Sequence, residues 1–184
     1  AATRVAVLYD QLARLAPDGS AIRTEYTRRA LEARTLLAAY VGTTEWTHAN
    51  GDDAEALATA ESLAKSGLQR AAADHTNQAR ALVGRAREAS SQAAQRNLLE
   101  RAIIGYRMAE MAWAAYVAQD PAAVDSYESR FWLADARYWV AVLQVGLGRT
   151  PAAVEVAAAR DAALDVRDST EDDRYLQQAA YYLV

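Results

Sequence analysis

Residues 106–124, "YRMAEMAWAAYVAQDPAAV", place Tyr106, Trp113 and Tyr116 among alanines and methionines and then stop at Pro121. Ala109, Trp113 and Tyr116 lie four and three residues apart, so they share one stripe of a helix. Proline cannot continue that helix. The stripe reads as helix packing rather than as a ligand-stacking surface, because a small residue precedes each bulky one. The same apolar period recurs on both sides of it.

Toward the N-terminus, Val5, Leu8, Tyr9, Leu12 and Leu15 form a helical stripe that Pro17 and Gly19 end. Ser20 is a good N-cap for the next helix. There Ile22, Tyr26, Ala30, Ala33, Leu37 and Tyr40 recur at three- to four-residue spacing up to Gly42. "TTEWTHANGDD" (43–53) reads as a loop, with Asp52 or Asp53 capping the helix after it. Leu57, Ala60, Ala64, Leu68, Ala71, His75, Ala79, Leu82, Ala86 and Ala89 then keep a 3.6-residue period without a proline. The spacing predicts one long helix over 53–89, with a possible break at Thr76–Asn77 and an end at Ser90–Ser91. Gly67 and Gly84 cost about 1 kcal/mol each inside a helix, which suggests close helix crossings there.

Further helices are expected at about 92–119, 125–146 and 151–165. Thr150 is the expected cap of the last, with Pro151 at its first position. "DSTEDDRY" (168–175) opens a final helix, capped by Ser169 or Thr170, its acids complementing the helix dipole. The count is about seven helices and no strand.

Composition agrees. Hydrophobic residues make up 52% of 184 residues, and much of that is alanine, the best helix former. Only 8 Gly and 3 Pro occur. A net charge of −4 supplies no bulk positive field for nucleic acid. Lys65 is the only lysine, and the arginine and alanine excess fits a GC-rich genome. With no cysteine there is no disulfide or thiol chemistry, which suits cytoplasm or periplasm alike. The apolar runs fall far short of the roughly 20 residues that span a bilayer. No signal peptide is visible. The chain begins and ends inside helical pattern, so a fragment of a longer protein, folded as one domain over 1–184, is expected.

Two segments share one pattern. In "VAVLYDQLARLAP" (5–17), Val5, Tyr9, Leu12 and Pro17 sit at offsets of four, three and five. In "AEMAWAAYVAQDP" (109–121), Ala109, Trp113, Tyr116 and Pro121 sit at the same offsets. "FWLADARYWVAVLQVGLGRTPAAVEVAAARDAAL" (131–164) reads helix, "GLGR" turn, alanine-rich helix. The chain resembles a degenerate tetratricopeptide-repeat protein over 1–17 and 91–184. The 34-residue period is not kept through 43–105, no tyrosine follows the turn, and alanine or valine replaces the aromatic of the second helix. The middle of the chain, with "FWLADARY" and "DDRYLQQAAYYLV", is also similar to large extracytoplasmic tetratricopeptide proteins of myxobacteria and related bacteria. Some of those serve in envelope machinery.

The resemblance implies an all-α, right-handed solenoid of antiparallel helix pairs that scaffolds protein contacts. Its concave surface is lined by the first helix of each pair. For 125–146 the core stripe would be Phe131, Ala134, Tyr138, Ala141 and Val145. The neighbouring stripe of Arg130, Leu133, Arg137, Val140 and Gln144, extended by Arg174 and Gln178, would grip an acidic or carboxylate-ended peptide. The alternative for that stripe is a solvated polar face paired with Asp135 and Glu128.

No catalytic, metal or cofactor site is expected. His48 and His75 lack converging ligands. "DVRDSTEDD" (165–173) lacks the alternating ligands and glycine of a calcium loop. "GLGR" follows no strand, and "GDDAE" (51–55) fits a helix start. Rival readings are an oligomerising bundle, with 53–89 as a coiled-coil arm, and an all-helical enzyme or lipid- or small-molecule-binding module.

Overall fold

The computed structural model describes residues 2–41, 43–119, 125–169 and 173–184. Among them every regular element is helical: α1 Ala2–Leu15, α2 Ala21–Val41, α3 Thr44–Asn50, α4 Ala54–Arg87, α5 Gln92–Gln119, α6 Ser126–Gly146, α7 Ala153–Arg167 and α8 Leu176–Tyr181. Contacts divide the chain into two units, 1–71 and 72–184, with the boundary inside α4.

In the first unit α1 and α2 form an antiparallel pair. The Arg23 guanidinium closes the turn: Nε donates to the Ala13 carbonyl at 2.8 Å, Nη2 to that of Arg14 at 3.3 Å, and Nη1 pairs with Asp18 at 2.5 Å. One side chain thus satisfies carbonyls that the end of α1 leaves open. Ser20 caps α2, its Oγ accepting from Arg23 N at 3.2 Å. Farther along the pair, Arg34 binds Asp10 and the Tyr9 and Tyr26 rings lie 6.1 Å apart. The packing face of α1 differs from the expected stripe. Ala6 and Ala13 are buried, while Val5, Leu8, Leu12 and Leu15 are exposed and Tyr9 is half-buried. Methyl groups let backbones approach, and the large aliphatics are turned outward.

The expected loop after α2 contains α3. Thr43 caps it, accepting from Trp46 N at 3.2 Å. Asp53 then caps α4, accepting from Ala56 N at 2.9 Å. Helix α4 runs unbroken through Thr76–Asn77 and stops before Ser90–Ser91. Ser91 caps α5, its Oγ accepting from Ala94 N at 3.2 Å.

The second unit packs the rest of α4 with α5 to α8. The closest approach is at Gly105, not at Gly67 or Gly84. A Cβ on Gly105 would stand 3.0 Å from the Ala79 Cβ, whereas Gly67 and Gly84 have nothing within 4 Å. Trp113 of α5 and Thr76 of α4 lock the same contact lower down. The indole N–H donates to Thr76 Oγ1 at 3.1 Å, and that hydroxyl donates to the Ala72 carbonyl at 2.9 Å. Ala109, Trp113 and Tyr116 are all buried, so their stripe is core. Pro121 and Thr170, expected as stop and cap, lie outside the described residues.

Helices α5 and α6 run antiparallel: Arg149, just beyond α6, pairs with Glu100 at 2.5 Å, and Tyr116 near the end of α5 donates to Asp125 before α6. The chain turns after α6 at Gly148, whose φ of 73° lies where only glycine sits freely. Helix α7 starts two residues later than the expected first position. Its N-cap is Ala152, and Glu155 reaches back to the Ala152 N–H at 3.3 Å, so Thr150 does not cap and Pro151 precedes the helix. The expected core stripe of α6 holds at Phe131 and Ala134 only. Tyr138 and Ala141 are half-buried and Val145 is 62% exposed, while Val140 and Leu143 are buried instead. Helix α8 begins at Leu176 with Tyr175 as its N-cap, well after Ser169.

Gly105→Ala is expected to lower the melting temperature despite alanine's helix advantage of about 1 kcal/mol, because α4 backbone lies behind Ala79. Gly67→Ala and Gly84→Ala should raise it. Thermal unfolding of the three variants checks both signs. Trp113→Ala is expected to cost about 3–5 kcal/mol by urea unfolding, the range for a buried aromatic.

Candidate functional site

The residues singled out on α6 do not face a common opening. Arg130, Arg137 and Gln144 point to α7 and α5. Arg137 Nε donates to Glu110 of α5 at 2.9 Å, and its Nη1 to the Ala158 carbonyl of α7 at 3.4 Å. Arg130 stands 3.7 Å from Asp165 at the far end of α7. Gln144 donates to Glu155 at 3.0 Å, and Arg107 of α5 pairs with the same carboxylate at 2.8 Å. The Gln144 bond, the Ala152 N–H and Arg107 hold the Glu155 carboxyl below its ordinary range. These side chains are struts between three helices.

Arg174 and Gln178 lie with α8. Arg174 is 3.9 Å from Glu128 and its guanidinium stands 5.7 Å from the Tyr175 ring. Gln178 donates to the Tyr182 hydroxyl at 3.2 Å. Both are exposed. Glu128 also accepts from Trp132 Nε1 at 3.2 Å and from the Tyr175 hydroxyl at 3.3 Å.

The principal polar cluster of this unit centres on Asp135, which the sequence pattern offered as a solvated partner of the α6 arginines; Arg80 and Tyr182, its actual partners, were not singled out. Asp135 is 1% exposed, and its carboxylate accepts from Arg80 of α4 at 3.0 Å and from the Tyr182 hydroxyl at 2.5 Å. It does not serve the α6 arginines. The Arg80 guanidinium lies 4.6 Å over the Trp132 ring, so its other side is held by an aromatic face. Around this lie stacked rings: Phe131 on Tyr175 with centroids 3.9 Å apart, Tyr138 on Tyr182 at 4.2 Å, Tyr106 beside Trp139 at 6.1 Å. Tyr127, Phe131, Ala134, Val166 and Ala179 make the apolar centre beneath them. Burial, reinforced by the Asp135 charge and opposed by Arg80, pushes the Tyr106 hydroxyl up to about 12. Burial and the same carboxylate push Tyr182 higher still. Both phenols therefore stay protonated at ordinary pH, with no proton to exchange near neutrality.

In the first unit a cavity of about 430 Å³ opens beside Trp46, Asp53, Glu55 and Leu63. Its two carboxylates stand at the start of α4, where they complement the positive end of the helix. His48 is exposed on α3 and His75 half-buried on α4. Among the described residues no three His, Cys, Asp or Glu side chains gather as metal ligands, and no helix is long and apolar enough to cross a membrane.

Comparison with protein-family models, with curated proteins and with solved structures gives no match.

An unfolded tyrosine ionises near pH 10, whereas Tyr106 holds its proton to about 12. Its contribution is complete below pH 10 and is lost as pH rises from 10 to 12, by up to about 3 kcal/mol. Urea midpoints across that window should fall, and Tyr106→Phe should flatten the fall.

Proposed function

We propose that the chain is a non-catalytic protein-interaction scaffold of stacked antiparallel helix pairs, similar in plan to tetratricopeptide repeats. The observation that carries this reading is the Arg80–Asp135–Tyr182 chain. It joins α4, α6 and the residue following α8, three alternate helices, through one buried carboxylate. The pairing of α6 with α8 is parallel, since Phe131 meets Tyr175 and Tyr138 meets Tyr182. Arg107 and Glu155 link the intervening helices α5 and α7 in the same way. A stack of helix pairs requires this: each helix touches its neighbour in sequence and the next but one. The buried polar groups are used for cohesion, which supports a scaffold over an enzyme.

The partner surface we assign to the outer side of α8. Arg174 and Gln178 are exposed there beside Tyr181, 65% exposed, and Leu176, 42% exposed. Arg130, Arg137 and Gln144 act as struts toward α5 and α7. The ligand class is an acidic or carboxylate-ended peptide, bound with the two-pronged geometry that arginine offers. Placement in a cell-envelope assembly is part of the same proposal and rests on the resemblance alone.

Fluorescence anisotropy with a panel of labelled acidic peptides bearing free C-termini tests this. Arg174→Ala with Gln178→Ala is expected to weaken binding about tenfold, the loss of one charge-assisted contact, with the melting temperature unchanged. Failure of every peptide to bind, or equal affinity of the variant, would overturn the assignment. Arg137→Ala is unsuitable because it removes a strut.

A further inference from the structure

No Lys or Arg occurs between Arg34 and Lys65, in a chain that holds 20 of them. The same stretch carries Glu45, Asp52, Asp53, Glu55 and Glu61. The cavity beside Trp46 lies within it, between α3 and the first turns of α4. Ala56, Ala60 and Leu63, four and three residues apart, share one stripe of α4 and form one wall. The Trp46 indole forms the other, and the Tyr40 ring meets that indole edge-on at 5.6 Å. Asp53 and Glu55 complete the lining. The turn that sets the two walls apart is tied at both ends. Asn50 Nδ2 donates to the Trp46 carbonyl at 2.9 Å, and the Asp53 N–H donates to the Asn50 carbonyl at 2.9 Å.

Charge and surface chemistry together select the occupant. Trp46 Nε1 is buried, so the indole shows the cavity carbon and π density rather than a donor, and such density attracts a cation. The two carboxylates bring two negative charges against about +0.5 from the start of α4, so the field in the cavity is negative. Among the described residues neither Asp53 nor Glu55 has an ion-pair partner. Asp53 Oδ1 accepts from the Ala56 N–H at 2.9 Å, which leaves Oδ2 for a ligand. A bare divalent ion does not suit the site. It requires roughly six oxygens, and among the described residues no three acidic or histidine side chains gather. An organic cation carries its charge beneath alkyl groups, which the alanine, leucine and indole walls accept without a hydration penalty. A volume of about 430 Å³ is that of a small-ligand site.

We propose that the Trp46 cavity binds a small organic ammonium ion, its alkyl groups against Trp46, Ala60 and Leu63 and its charge facing Asp53 and Glu55. Leu63 is 58% exposed, so the bound ion stays partly in water and the dissociation constant is about 0.1 to 10 mM. The site lies wholly in the first unit and depends neither on a scaffold role nor on the α8 surface.

Choline and its uncharged carbon isostere, 3,3-dimethylbutan-1-ol, separate charge from shape. Each is titrated to about 50 mM at constant ionic strength, with the Trp46 indole N–H and the Ala56, Ala60 and Leu63 methyls followed by NMR. Choline is expected to give saturable shifts confined to these groups, and the isostere to bind about tenfold more weakly. Asp53→Asn with Glu55→Gln should weaken choline about tenfold. Asparagine caps a helix as well as aspartate does, so amide shifts farther along α4 should stay in place and show the helix intact. Choline shifts that do not saturate, an isostere of equal affinity, or a double variant of unchanged affinity would overturn the proposal. So would sodium or magnesium chloride giving the same shifts, which means a merely acidic surface. A lysine-containing peptide that saturates these groups at a tenth of the choline concentration would overturn it as well, in favour of a protein-docking surface.

Discussion

The second unit depends on a single buried carboxylate. Asp135 has been taken out of water between α4, α6 and α8, and a bare charge there would cost several kcal/mol. Two donors, Arg80 of α4 and Tyr182 just after α8, make it tolerable, and neither can be moved without leaving the charge exposed to an apolar surround. That requirement fixes the register of three helices at once. Arg80 reaches Asp135 only while its guanidinium lies over Trp132, and Tyr182 reaches it only while its ring stacks on Tyr138. The aromatic packing and the ion pair therefore specify the same arrangement.

Around this constraint the helices are held by two kinds of contact. Alanine and glycine let α4 and α5 approach at Ala79 and Gly105, and alanines line the α1–α2 contact. Toward the C-terminus the layers are thicker and are filled by tyrosine and tryptophan. The change follows the sequence, which has no aromatic residue between Trp46 and Tyr106. Polar struts such as Arg137 and Arg23 close the remaining gaps by satisfying carbonyls and carboxylates.

Helix positions were legible because a 3.6-residue period survives over long segments. The limits of α4, α5 and α6 fall within a residue or two of the expected ones, and Ser20 and Asp53 cap as read. Faces were less legible. On α1 the large residues suggested the core, yet the alanines took it, since close backbone approach outweighs side-chain size when methyls fit. The missed α3 is seven residues long, too short to show a period. At the candidate site Arg137 and Gln144 were recognised as a stripe, but a stripe does not say whether the next helix covers it. The Arg80–Asp135 pair spans 55 residues, and no local pattern announces a contact that distant. A lone aspartate amid Phe131, Trp132, Leu133 and Ala134 was the available hint.

Contacts built from methyl groups shape how such a chain can diverge. At Ala30, Ala79, Ala102 or Ala109, each 1% exposed or less, every replacement but glycine or serine adds bulk to a filled space. At Leu36 or Val145, which stand outside the packing, drift costs little. A lineage descending from this fold would keep its smallest residues and exchange its largest. An alignment built on leucine and valine would lose the relationship long before the backbone changed.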